Sequence, residues 1–447
     1  MSKLFALIVI VLGVVAIAQL VRLYEEASKL RTRGEHEVSE RDNRLNAKMM
    51  IAFMVAFFAF VTWLFMHYGW TGRGEAATEH GKRLDWLLNL NLWIIISVFF
   101  ITNFLLFVFA YKYVKKPGVP ALYFPHNNKL ELIWTVVPAI SLLVIIVFGL
   151  IEWNKATSKS KDDAIVIELF SKQFDWTARY AGKDNKLGKF DYKLTSDKNM
   201  LAIANTETID YAIDKMMNDS LLGMKAVERK LNDHSIVMVP SDREKLQTTL
   251  KRNEELYRLL VQMKNRHDAS VDAQSWDDVI LTGPAEKLYL AKGQEFELNF
   301  RSKDVIHSAF FPHFRVQMNT VPGQTTRFKL TPDKTTAEMR KEKNDPKFEY
   351  ALMCNKICGG SHYKMYMIVE VLEKDEYNAV MKAFDLGGDN AARPANDQLT
   401  DKELKLVKKV LGDTAPAAHR FETTFKGAPA APAAEATETE TEAVPAA

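Results

Sequence analysis

The sequence predicts an α-helical transmembrane anchor of four helices, followed by an all-β sandwich that carries an inserted helical hairpin. Three observations carry this expectation. The first 155 residues hold four uncharged apolar stretches. The polar remainder contains short β-branched or aromatic segments that often alternate with period two. Between Gly182 and Gly283 the spacing turns helical.

The four stretches are Leu4–Val21, Met49–Met66, Leu90–Tyr111 and Leu132–Ile151, each 18 to 22 residues long. At 1.5 Å per residue about 20 residues cross the hydrocarbon core. The first connection carries Arg22, Lys29, Arg31, Arg33, Arg41, Arg44 and Lys48, and the third Lys112, Lys115, Lys116 and Lys129. The second has only Arg73, Lys82 and Arg83. Positive charge stays on the cytoplasmic side, so both chain ends and everything after Trp153 are expected outside. Ala16-Ile17-Ala18 resembles a signal-peptidase site. A retained helix is the expectation, and a purified chain starting at Gln19 would overturn it.

Beyond Asp163, strands are predicted over Ala164–Phe170, Glu295–Arg301, Gln324–Leu330, Phe348–Cys354 and Met365–Leu372. Phe296, Leu298 and Phe300 illustrate the alternation. In the insert, Ser241-Asp242-Arg243-Glu244 reads as a capping box opening a helix to about Arg266, with Leu246, Leu250, Leu256, Leu260 and Met263 on its apolar face. A second helix is predicted from Ile209 to Leu231. This hairpin is read either as a self-contained decoration or as a docking surface. Residues Gly427–Ala447, mostly Ala, Pro, Thr and Glu, read as a disordered tail.

Composition excludes several classes. At 447 residues about three structural units are expected. A net charge of +3, from 59 basic and 56 acidic residues, excludes a nucleic-acid protein built on a global basic field. Two cysteines exclude a disulfide scaffold, and the absence of Cys-x-x-Cys-His excludes covalently attached c-type haem.

Those two cysteines lie in Met353-Cys354-Asn355-Lys356-Ile357-Cys358-Gly359-Gly360-Ser361-His362-Tyr363-Lys364-Met365. Two thiols, an imidazole and a thioether fall within 12 residues. Thiolate and thioether are soft ligands and imidazole suits copper, so the set points to copper electron transfer. Zinc with two Cys, one His and a further ligand is a second reading, and a Cys354–Cys358 disulfide is a third.

Upstream stand Asp304-Val305-Ile306-His307-Ser308, then Phe310-Phe311-Pro312-His313-Phe314-Arg315-Val316 and Val321-Pro322-Gly323. With the cysteine loop, these segments resemble subunit II of a haem–copper cytochrome c oxidase, whose ligands lie in D-V-x-H-S and C-x-E-x-C-G-x-x-H-x-x-M. Glu131-Leu132-Ile133-Trp134-Thr135-Val136-Val137-Pro138 resembles the start of the family's second membrane helix, and Lys172-Gln173-Phe174-Asp175-Trp176 its first aromatic strand. The resemblance spans roughly Leu90–Gly182 and Leu281–Leu372. The first two spans, the insert and the tail lie outside it.

The resemblance implies a cupredoxin-like sandwich with a binuclear copper centre, CuA. Cys354 and Cys358 would bridge both coppers, His307 and His362 would close the ends, Met365 would be a weak axial ligand, and the Lys356 carbonyl would serve the other copper. It further implies partners in oxidase subunits I and III, with haem only in the partner, and a cytochrome c or cytochrome c domain as donor. The setting would be a bacterial inner membrane with the copper domain outside, and the reaction oxygen reduction to water coupled to proton pumping. A nitric oxide or nitrous oxide reductase with the same relay, and a metal-free tethered scaffold, are the alternatives.

The chain departs from the family at three points. Lys356 replaces a glutamate that helps bind magnesium, and a protonated lysine cannot coordinate that ion, so the magnesium site is expected to be lost or rebuilt. Phe174 stands where the family has the Trp that receives the electron; Trp176, two residues on and on the same strand face, is read either as its substitute or as core packing. Arg179, Lys183 and Lys186 are basic where the family uses acidic groups, which suits a different, dedicated donor, such as a cytochrome domain of another respiratory complex. Glu131 matches the glutamate that feeds protons to subunit I, besides suiting a helix N-terminus. His313 is expected to be a supporting or surface residue. The implied organisation is 1–70 extra membrane helices, 71–155 transmembrane hairpin, 156–182 and 284–385 the two parts of the sandwich, 183–283 insert, and 386–447 extension and tail.

Overall fold

The computed structural model describes residues 2–29, 39–69, 74–233, 235, 237–283, 286–386, 398–413 and 419–426. The expected tail, Gly427–Ala447, lies outside the described residues, as do Arg31, Arg33 and Arg73 of the charged loops. The chain divides into two compact units, Met1–Arg73 with Leu88–Ile145, and Gly74–Leu87 with Ile146–Ala447.

Each expected span is helical: α1 (Ser2–Lys29), α2 (Glu40–Tyr68), α3 (Glu79–Lys112) and α4 (Asn128–Thr157). Of these, α2, α3 and α4 are long and apolar enough to cross a membrane. At 29 residues the shortest of the three, α2, is about 43 Å long, more than the ~30 Å of hydrocarbon. Ser39 starts α2 by accepting the Asp42 amide at 3.2 Å. Phenylalanines join α2 to α3, with Phe58 and Phe100 at 4.8 Å and Phe53 and Phe107 at 5.6 Å between ring centres. A membrane crossing by α1 remains a proposal.

In the second unit the chain runs β1 (Ile165–Lys172), β2 (Asp175–Tyr180), α5 (Thr206–Asn218), α6 (Met224–Asn232), α7 (Pro240–Arg266), α8 (Ala273–Trp276), β3 (Val279–Thr282), β4 (Lys287–Ala291), β5 (Phe296–Ser302), β6 (His307–Phe311), β7 (Val316–Thr320), β8 (Thr326–Leu330), α9 (Thr336–Glu342), β9 (Tyr350–Cys354), β10 (Tyr366–Leu372), α10 (Lys374–Leu386), α11 (Asp401–Leu411) and α12 (Phe421–Lys426). The strands form two five-stranded sheets, ordered β3-β2-β1-β5-β8 and β4-β10-β9-β6-β7. Leu169, Trp176, Leu298 and Phe300 of the first sheet share one core with Phe311, Leu352 and Val369 of the second. This is the sandwich the sequence predicts. The alternation in β5 holds, with Phe296, Leu298 and Phe300 buried and Glu297 and Asn299 half-buried.

The region between β2 and β3 differs from expectation twice. The single helix over Ile209–Leu231 is two helices, α5 and α6. Asp219 ends the first by accepting the amides of Leu221 and Leu222, both at 2.9 Å. A Cβ at Gly223 would stand 2.5 Å from the Asp219 nitrogen, so the turn closes only on glycine. Helix α7 begins at Pro240 rather than after Ser241, without a side-chain cap; proline at the first position loses no hydrogen bond because that amide has no partner there. Leu256, Leu260 and Met263 do face inward, against Leu194 and Ile209.

A buried ionic network ties the first sheet to the insert. Arg179 donates to Asp278 at 2.7 Å, to Glu168 at 3.0 Å and to the Gly188 carbonyl at 3.2 Å. Arg301 pairs with the same Glu168, reaches the Leu201 carbonyl at 2.9 Å, and stacks over Phe190 at 3.6 Å. All four charged residues are buried. The described residues of the extension add to this domain: Ile280 donates to the His419 carbonyl at 2.8 Å, and Phe421 of α12 stacks on Trp276.

Candidate metal centre

Three adjacent strands bring the cysteine loop to one end of the sandwich. Cys354, the last residue of β9, pairs with Ala309 of β6, and Met353 pairs with Tyr366, the first residue of β10. His307 opens β6. The intervening loop is pinned at both ends, because Asn355 donates to the Ser308 carbonyl at 3.2 Å and Cys354 to the Met365 carbonyl at 3.1 Å. A 3-10 turn over His362–Lys364 swings His362 back towards the cysteines.

The donor atoms therefore converge. The Cys354 and Cys358 sulfurs stand 3.9 Å apart and unbonded. His307 Nδ1 lies 3.9 Å from Cys354 Sγ, and His362 Nδ1 lies 3.5 Å from Cys358 Sγ. Met365 Sδ is 3.8 Å from Cys358 Sγ, and the Lys356 carbonyl oxygen is 3.2 Å from Cys354 Sγ. Ligand atoms of His307, Cys354 and Cys358 all fall within 4.8 Å of one another. The Lys356 side chain is exposed, so only its backbone joins the cluster.

Supporting hydrogen bonds orient the donors. Asp304 Oδ1 lies 2.8 Å from His307 Nε2, and the carboxylate also accepts the amides of Gln173 and Val305 at 2.8 and 2.7 Å. Burial acts to raise the Asp304 pKa, but these bonds, from Gln173 above all, outweigh it and hold the carboxyl below its usual range. An ionised Asp304 keeps the proton on Nε2 and leaves the Nδ1 lone pair facing the sulfurs. Burial, and then the neighbouring Cys354, push the Cys358 thiol up to about 11. Two adjacent thiolates are thus costly here unless a cation compensates them, which is what a metal does. With five side-chain donors and a carbonyl, the set exceeds the four ligands of a tetrahedral zinc site and suits soft metal.

Phe174 and Trp176 do not share a strand face as the sequence suggested. Phe174 sits in the turn between β1 and β2, half-buried, with its ring against Gly359. A Cβ on Gly359, whose φ is +143°, would meet that ring at 2.9 Å. Gln173 beside it donates to the Cys358 carbonyl. Trp176 is fully buried, edge-on to His307 with ring centres 6.4 Å apart. A buried ring cannot touch a docking protein. Arg179 needs a similar correction: it belongs to the buried network and offers no charge to a partner, while Lys183 pairs with Asp385 at 3.7 Å. Asp304, Gln173 and Gly359 were missed as site residues, although all three lie inside the motifs quoted above.

The other sequence candidates lie elsewhere. Glu131 is in the first unit, where its carboxylate accepts the Asn127 amide at 3.2 Å and so caps α4. His313 packs edge-on against Phe348 with ring centres 4.9 Å apart. Burial, then Lys343 and Arg315, hold it neutral by lowering its pKa to about 4.

Comparison with known proteins finds the following likenesses. Residues 69–151 match the transmembrane domain of cytochrome c oxidase subunit II. Over 333 residues the chain is 24% identical to the alternative cytochrome c oxidase subunit 2 of Bradyrhizobium diazoefficiens, covering 74% of this chain and 90% of that one. Over 102 residues it is 32% identical to cytochrome c oxidase subunit 2 of Thermostichus vulcanus, covering 23% and 26%. Among solved structures, the periplasmic domain of subunit II of cytochrome oxidase from Bradyrhizobium japonicum aligns with 50% of this chain and 95% of that one, at 14% identity and a TM-score of 0.24. The resemblance read from the sequence, to subunit II of a terminal oxidase, agrees with the names of these relatives.

Proposed function

We propose that this chain, a relative of cytochrome c oxidase subunit II with that family's transmembrane domain, receives single electrons from a c-type cytochrome and passes them to haem in a partner subunit. That partner reduces oxygen to water and pumps protons, and the assembly sits in a bacterial inner membrane with the sandwich outside. The observation that carries this reading is the convergence of two unbonded thiols, two imidazoles, a thioether and a carbonyl on one buried point. Cys354, Cys358, His307, His362, Met365 and the Lys356 carbonyl would hold two coppers. When bound, this pair would take up and release one electron at a time. The residues themselves supply a preset cage: three hydrogen-bonded strands fix the backbone, and Asp304 fixes the His307 tautomer. With a lysine side chain at 356, the family's magnesium site is lost or rebuilt. Purified with its partner subunits and fed reduced cytochrome c, the complex is expected to consume oxygen; consumption of nitric or nitrous oxide instead contradicts the assignment.

Two residues have proposed roles around that cage. Phe174, half-exposed and resting on the ligand loop, is the aromatic contact for the donor, and Trp176 is a buried support for His307. Phe174→Ala is expected to slow oxidation of cytochrome c by about tenfold or more while a small-molecule reductant is oxidised at the original rate. Equal slowing with both reductants counts against the contact. Glu131 is a proton-input group as well as a cap. Glu131→Gln, which keeps an acceptor for the Asn127 amide, is expected to slow turnover with copper content unchanged; full turnover leaves only the cap.

A further inference from the structure

The end of the sandwich that holds the sulfur cluster carries exposed apolar side chains and, close by in sequence, exposed lysines. Ile357 is 87% exposed, Tyr363 77% and Ile306 43%. Each adjoins a sulfur or imidazole donor: Cys358, His362 and His307 respectively. Large apolar side chains held out in water around one site mark a contact surface. Lys303, Lys356 and Lys364 stand among them, all exposed and none with an ion-pair partner among the described residues. From Cys354 to Met365 the loop has two lysines and no carboxylate. The nearby carboxylates are engaged: Asp304 holds His307 and the Gln173 amide, and Asp175 faces Lys172 at 3.8 Å.

We propose that this face docks an electron donor whose own contact surface is acidic around an apolar centre. This deepens the relay reading and rests on it. Apolar side chains at the centre exclude water on contact, while the lysine rim attracts carboxylates during approach and fixes orientation. A donor with a basic face would bring like charges together around an otherwise fitting centre, which disfavours it. The sign comes from the loop lysines, since Arg179 is buried and Lys183 is paired.

The test titrates the detergent-solubilised oxidase complex with two soluble c-type cytochromes of similar size, one acidic and one basic, reading the dissociation constant against ionic strength. The acidic cytochrome is expected to bind about tenfold or more tightly at low salt, and to lose that advantage as salt rises. In the double variant Lys303→Glu/Lys364→Glu the preference is expected to reverse. Copper content is measured on the same samples. Tighter binding of the basic cytochrome by the unaltered complex, weakened by salt, overturns the proposal, as does binding of neither. An unchanged preference in a copper-loaded double variant also overturns it. Copper-free complexes that still prefer the acidic cytochrome uphold the docking face and contradict the relay, so the two failures are distinguishable.

Discussion

Cys358→Ser is expected to abolish the copper pair and lower cytochrome c oxidation by about 100-fold or more, since even supporting partners of metal ligands contribute 10–100-fold. Cys358 contacts Cys354, His362 and Met365 at 3.9, 3.5 and 3.8 Å, so its loss touches three of the other donors. A serine hydroxyl is a hard donor that does not ionise near neutrality, so the site loses both softness and charge. The fold should survive, because the strands are held by backbone pairing and not by a Cys354–Cys358 bond. Copper analysis with thermal unfolding reads both outcomes. Retention of two coppers by the folded variant would remove Cys358 from the ligand set.

Glu168→Leu is expected to produce the largest loss of stability. Glu168 faces Arg179 and Arg301 at the centre of the buried network, and all three are at most a few per cent exposed at the side chain or, for Arg301, 8%. Arg179 would keep Asp278, but Arg301 would be left with a carbonyl and two rings. An uncompensated buried charge costs about 3–5 kcal/mol, or a fall of roughly 5–15 °C in the melting temperature of a domain this size. The double variant Glu168→Leu/Arg301→Leu removes both charges and should cost less than Glu168→Leu alone. A double variant that costs the sum of the single losses would mean that the pair contributes by packing rather than by charge compensation.

What the sequence made legible follows from which forces are local. Apolar runs of 18 or more residues admit few interpretations, and the four helices lie where those runs are. Strand β5 was readable because one of its faces meets the core and the other does not. Strands β3 and β6 were not, because they are short and buried almost continuously, so no alternation exists to find. The cysteine loop was legible as chemistry because its donors are close in sequence. His307 joins them from 47 residues away through the pairing of β6 with β9, which spacing alone does not reveal. Arg179 misled because exposure is decided by the second sheet and the insert, and neither is visible from a strand's own residues; the same packing settles Trp176 as a core residue.

The most direct test of the account is electron paramagnetic resonance with metal analysis on the purified full-length chain after copper reconstitution. Two coppers per chain are expected, with the hyperfine pattern of one unpaired electron shared equally between two copper nuclei. A chain that takes up no copper, or that shows the signal of isolated single coppers, contradicts it.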